Sequence, residues 1–220
     1  MEYYLWFKYA HILAFVYWLG GDLGTFFASG KVIKRDIGVE ARQVALQIML
    51  ACDQGPKLAM PAIFAFGFQM AFSAGMVAVP AWSPWLVWIL CAAWFANVIY
   101  LHAAHGGDLH AFLTRWDFRF RVLVVTVLVV WGVGGLLGGF QFVGDWLAWK
   151  VLVFAMLVFF GLMIRVNLKP FVPAFAQTVQ HGASEERDTI LEKSLGRCRP
   201  WVYGIWVGLF LNSAIGLHLF

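Results

Sequence analysis

The chain has 220 residues, of which 62% are apolar and only 13% charged, with mean hydropathy +0.76. Soluble domains carry about 25% charged residues, so this composition excludes an ordinary water-soluble fold and points to lipid as solvent. The formal net charge is +4, but no stripe of basic and aromatic residues accompanies it, so a nucleic-acid partner is not indicated.

Windows of about 20 apolar residues predict six membrane spans, near 4–29, 58–79, 84–104, 121–141, 147–165 and 200–219. The first stretch is expected to be retained as a helix, because Glu2 precedes it and no small-residue cleavage site follows. Pro61 falls in the first turn predicted for the second span, where its missing donor costs little. Pro80 and Pro84 mark the turn into the third, Pro170 and Pro173 end the fifth, and Pro200 opens the sixth.

Charge orients these spans. Fourteen of the 16 lysines and arginines lie in segments 30–57, 105–121 and 165–199, Lys8 and Lys150 being the exceptions. By the positive-inside rule these alternate segments are cytoplasmic and both termini periplasmic. The expected fold is an all-α integral membrane protein: one membrane domain over residues 1–220, a six-transmembrane-helix bundle in a bacterial inner membrane.

Two short cytoplasmic helices are expected. Over 37–51, Ile37, Ala41, Val44, Ile48 and Ala51 share one face, with Arg42, Gln43 and Gln47 largely off it, as in an interfacial helix. Over 184–195, Ser184 reads as a cap, with Glu185 and Glu186 in the first turn. In the fourth span, Gly134/Gly138 and Gly135/Gly139 repeat at a spacing that lets helix backbones approach, as do Gly20, Gly21 and Gly24 in the first. Such surfaces leave room for a homo-oligomer or for a partner in a larger membrane complex. Cys52, Cys91 and Cys198 have no ligand spacing and read as reduced structural residues.

Few polar residues remain for chemistry. His11 lies about 10 Å below the outer surface at the helical rise of about 1.5 Å per residue. An ionisable ring at that depth needs a partner. That partner is either a protein hydroxyl, amide or carbonyl on another helix, or the iron of a haem gripped by the neutral ring. Lys150 starts the fifth span from the same side, where it either snorkels to the headgroups or faces the bundle as a partner for a carboxylate and a proton acceptor. His218 ends the sixth span on that side, with Asp145 at the rim. Toward the cytoplasm lie Asp22, the His102/His105 pair three residues apart, Asp108 and His110. These nitrogen and carboxylate donors suit a transition metal such as copper. No Ser-His-Asp set, phosphate-cradling loop or dinucleotide fingerprint appears in a supporting context.

Trp6-x-Lys8-x-x-His11 followed by Trp18-Leu19-Gly20-Gly21, then Lys57-Leu58-Ala59-Met60-Pro61-Ala62 and Trp149-Lys150-Val151-Leu152, together resemble a group of small membrane proteins. That group includes the HemJ-type protoporphyrinogen oxidases and the membrane domain of copper-resistance protein D. The resemblance covers about half of the chain and implies haem b binding at His11, with Lys150 in a catalytic role. The leading expectation is therefore a haem b protein acting in electron transfer or in oxidation of a lipophilic substrate. His11, His102, His105 and His218 are its candidate cofactor-binding residues. The competing expectation is a copper or other metal-ion permease using His11, Asp22, His102, His105 and His110, with Met60, Met70 and Met76 as soft ligands. An accessory subunit of a larger complex is the third.

Overall fold

The computed structural model describes residues 2–104, 106–140 and 142–219. Eight α-helices occur among the described residues: α1 (Glu2–Val32), α2 (Val39–Cys52), α3 (Gln54–Ser73), α4 (Ser83–Ala103), α5 (Asp108–Leu136), α6 (Asp145–Asn167), α7 (Phe171–His181) and α8 (Glu185–Gly216). Four of them, α1, α4, α5 and α6, are long and apolar enough to cross a membrane. Their outward side chains are apolar as well: Ile12 and Val16 on α1, Trp85 and Ile89 on α4, and Val127 and Val130 on α5 are all exposed. A helix apolar all round is stable only when lipid or protein surrounds it, so the fold is that of a membrane-embedded helical protein.

Contacts between the helices set their directions. His11 meets Ile63 while Tyr17 and Gly21 meet Gly55, so α1 and α3 run antiparallel. Phe64 stacks on Phe154 (centroids 5.3 Å apart) and Met60 lies against Gly161, so α3 and α6 also run antiparallel. Lys150 meets Asn212 and Leu157 meets Gly208, which makes α6 and α8 antiparallel in turn. It follows that α1 and α6 are parallel. Their shared core includes Trp18, Ala59, Met60, Ile63, Trp94, Phe154, Leu157, Val158 and Leu209.

A second core lies where the end of α1 meets α2, α7 and α8, built from Val32, Ala45, Met49, Phe171, Phe175 and Leu191. Here α2 turns Arg42, Ala45 and Met49 inward and leaves Ala41, Val44 and Ile48 exposed. The apolar stripe seen in the sequence thus faces outward, as suits an interfacial helix. The arginine faces in because it finds partners there: Nε donates to the Val32 carbonyl at 2.7 Å and Nη1 meets Asp188 at 2.8 Å. At the rim, Arg35 grips Glu192 with two 2.7 Å bonds, and that hydrogen bond holds the Glu192 carboxyl below its usual range.

Several boundaries differ from the sequence expectation. The helix expected over 184–195 and the sixth span form one continuous α8, with Pro200 inside it. Pro61 sits in the interior of α3, since that helix starts at Gln54 and places Pro56 in its first turn. The segment 108–120, read as loop, is the first three turns of α5, following a turn in which Gly106 and Gly107 adopt φ of +83° and +86°. Only glycine takes that backbone without strain. The amphipathic α7 was not anticipated, because Pro170 and Pro173 read as breakers. Pro170 is its N-cap and Pro173 falls in its first turn, where proline is tolerated.

The glycines of α5 also behave differently from the helix-pairing expectation. Gly132 does face Leu152 and Ala148 of α6, but Gly134 is covered by Phe140 and Gly135 by Phe142, both from the loop that follows. Gly138 lies beyond the helix with φ +76°. The close crossing is instead at Gly21 and Gly55, where a Cβ on Gly55 would lie 2.8 Å from the Tyr17 carbonyl oxygen and 3.3 Å from the Gly21 Cα. Backbone cannot yield as a flexible side chain does. Gly55→Val is therefore expected to cost about 1–3 kcal/mol through overpacking. Gly20→Ala, where nothing lies within 4 Å, is expected to leave thermal unfolding in detergent unchanged or slightly raised.

Candidate functional site

His11 is half-buried in the middle of α1, and its Nδ1–H donates to the Ile63 carbonyl of α3 at 2.8 Å. The ring reaches that carbonyl because Gly67, one turn on, has no side chain. A Cβ there would lie 2.9 Å from Cε1 and 3.2 Å from Nδ1. The sequence left the histidine's partner open between a protein acceptor and a metal. The structure supplies a backbone carbonyl for one nitrogen and so defines the tautomer: Nδ1 carries the proton, and Nε2 keeps its lone pair as the ring's single remaining acceptor.

Lys150, in the second turn of α6, faces the bundle. Its Nζ donates to the Asn212 carbonyl of α8 at 2.7 Å, and the Asn212 amide donates back to the Lys150 carbonyl at 3.4 Å. A Cβ on Gly216 would lie 2.7 Å from Nζ, so this glycine makes room for the ammonium. The last turn of α8 carries the negative end of the helix dipole, which favours a cation there. The Asn212 side-chain oxygen is buried without a donor.

His11 and Lys150 belong to one region. Trp18 lies seven residues after His11 and Phe154 four after Lys150, spacings that keep each pair on one helix face. The two rings meet edge to face at 6.2 Å between α1 and α6. Because these helices are parallel, His11 and Lys150 both lie on the N-terminal side of that contact. What the arrangement offers is one lone-pair nitrogen, one fixed ammonium and one unused amide oxygen over an aromatic floor.

The other sequence candidates are dispersed. His218 is exposed and packs its ring edgewise on Trp146 at 4.7 Å, near the Lys150 end of α6. Asp145 is exposed at the start of that helix. His102 is exposed at the end of α4, and His110 lies half-buried in the first turn of α5. His105 lies outside the described residues. Asp22 has a buried oxygen with no hydrogen-bond donor, and the Asp53 carboxylate pairs with Lys57. Met60, proposed above as a soft ligand, has its sulfur 3.7 Å from Arg121 Nη1. Among the described residues, no three His, Cys, Asp or Glu side chains gather as a metal site. The three cysteines are free thiols.

Sequence reasoning missed a second polar centre. Asp117 is buried, and one of its oxygens accepts from Arg121 Nε at 3.0 Å and from Arg165 Nη1 at 2.7 Å. Its other oxygen accepts from the Asn97 amide at 3.4 Å. Arg165 also donates to the Thr114 carbonyl at 3.0 Å, and the Arg121 guanidinium lies over the Trp94 ring, 5.3 Å from its centroid. The available signal was the Asp117/Arg121 spacing of four, which places both on one helix face. Reading 105–121 as loop hid it, and both arginines were spent on the orientation count.

Comparison with protein-family models, with curated proteins and with solved structures gave no match to this chain.

Proposed function

We propose that this chain is a haem b-binding integral membrane protein that acts in electron transfer or in oxidation of a lipophilic substrate. It would sit in a bacterial inner membrane with α1, α3, α4, α5, α6 and the second half of α8 as six spans and both termini periplasmic. The observation that carries the reading is the His11 ring, half-buried in an apolar helix, with Nδ1–H committed to the Ile63 carbonyl and Nε2 left as an acceptor. Imidazole ligands of metals are held in this way: an acceptor on one nitrogen fixes the ring and raises the basicity of the other. The donor chemistry thus fits a haem axial ligand, and the resemblance of the first helix, of Met60-Pro61-Ala62 and of Lys150 to the HemJ-type family supports the same assignment.

Haem bound there supplies one-electron chemistry at an iron whose potential depends on its ligand and surroundings. The chain's own residues do the remaining work. Ile63 and Gly67 orient the imidazole. Lys150, fixed by the Asn212 carbonyl, holds a positive charge that attracts the carboxylate edge of a cofactor or substrate. When uncharged, Nζ would accept a proton that the substrate gives up on oxidation.

The test is the visible spectrum of the detergent-purified protein after incubation with haem. A Soret band with α and β bands on reduction is the expected result, and a protein that stays colourless with excess haem refutes the assignment. Lys150→Met is expected to keep the Soret band while lowering haem affinity by about tenfold or more, the usual scale when a supporting contact of a bound cofactor is lost. Titration of the apoprotein with haem measures this.

A further inference from the structure

Arg121 and Arg165 share one carboxylate, Asp117, at 3.0 and 2.7 Å. No other ion pair involves either arginine among the described residues. Two guanidiniums against one carboxylate leave one positive charge over. That excess is held on the inner ends of α5 and α6, where Arg121 is nearly sequestered and the Arg165 side chain is 33% exposed. Uncompensated charge in a low-dielectric bundle is costly unless a counter-ion completes it. The remaining contacts of Arg121 are poor ones, a thioether and the face of Trp94. Trp94, only 4% exposed, has a buried indole N–H with no acceptor. The centre is short of negative charge, and its Asn97 Oδ1 is buried without a donor.

The surface beside its open side is apolar. The Arg165 guanidinium lies over the Phe118 ring, 5.9 Å from its centroid, and Val166, the next residue of α6, is exposed. A part-exposed guanidinium over an aromatic ring on the basic side of a membrane protein matches a phospholipid, with phosphate on the arginine and acyl chains along the apolar surface beside Val166. A freely soluble anion would gain nothing from that apolar surface.

We propose that the inner ends of α5 and α6 form a binding site for one anionic phospholipid, whose phosphodiester sits on Arg165 and completes the charge of the Asp117–Arg121–Arg165 centre. The site is separate from His11 and does not depend on the haem reading.

Thermal unfolding of the full chain in a neutral detergent tests it, with phosphatidylglycerol, phosphatidylcholine or inorganic phosphate added. Phosphatidylglycerol is expected to raise the midpoint saturably, by about 5 °C or more. Phosphatidylcholine and inorganic phosphate are expected to do little. In Arg165→Gln the apparent affinity for phosphatidylglycerol is expected to fall about tenfold or more, the scale of a lost charge-assisted contact. Arg165→Lys, a point charge without the fork, is expected to fall in between. Should Arg165→Gln fold poorly, native mass spectrometry of the unmodified protein provides a second measurement. It is expected to retain one phosphatidylglycerol in preference to phosphatidylcholine. Equal responses of the unmodified protein and Arg165→Gln, or no lipid preference by mass, would overturn the proposal. An equal shift from inorganic phosphate would overturn the lipid as occupant. None of these outcomes alters the haem spectrum, so the two proposals fail separately.

Discussion

His11→Ala is expected to abolish the Soret band, even with excess haem, while leaving the protein folded and monodisperse in detergent. The substitution removes the Nε2 lone pair, which no described neighbour replaces: His218 is exposed against Trp146, and His102 lies at the far end of α4. His102→Ala and His218→Ala are accordingly expected to retain haem. A subtler variant separates ligand loss from general damage. Gly67→Ala places a Cβ 2.9 Å from the imidazole Cε1, so the ring must turn or shift from the Ile63 carbonyl. With the histidine still present but no longer held, haem affinity is expected to fall by about 10–100-fold, the range measured when a ligand's supporting contact is lost. If His11→Ala binds haem as well as the unmodified protein does, the ligand lies elsewhere and the assignment is wrong.

The largest stability effect is expected from Arg42→Met. Arg42 is 1% exposed and joins three elements: its Nε takes the carbonyl of Val32, the final residue of α1, and its Nη1 meets Asp188 in the first turn of α8. A terminal helix carbonyl has no partner within its own helix, so the arginine satisfies a group the fold would otherwise bury unpaired. Methionine fills similar space but leaves the carbonyl without a donor and the Asp188 carboxylate without its counter-charge. Breaking a buried ion pair on one side costs about 3–5 kcal/mol, most of it from the charge left behind. Arg42→Met/Asp188→Leu removes that stranded charge, so the double variant is expected to recover a large part of the loss. Both effects are measurable as unfolding midpoints and as protease sensitivity near residues 33–38 and 182–184. A single variant as stable as the unmodified protein would show that the pair adds nothing.

How much of this was readable in advance depended on the signal. Hydrophobic runs located α1, α4, α5 and α6, because burial in lipid demands about 20 apolar residues whatever the tertiary arrangement. Ends were read less well. Pro200 looked like a helix start and lies inside α8; α6 does end at Asn167, ahead of Pro170 and Pro173, but the same prolines also open α7. A proline removes one donor, and whether that matters depends on which carbonyl packs nearby. Arg42 shows the limit plainly. On the sequence it belongs to the polar side of an interfacial helix, and its inward orientation makes sense only once Val32 and Asp188, 10 positions before it and 146 after it, stand beside it.

The same division holds at the candidate site. Composition, the run lengths and the isolation of His11 in an apolar stretch settled, from sequence alone, that this is a helical chain made for lipid with a histidine in need of a partner. Those properties are local, and the cost of exposing polar groups to hydrocarbon does not depend on how the helices assemble. Which nitrogen is occupied, where Lys150 turns and why Asp117 collects two arginines were decided only by tertiary structure. Each depends on a backbone carbonyl or a glycine notch contributed by another helix, and such groups leave no mark on the residue that uses them.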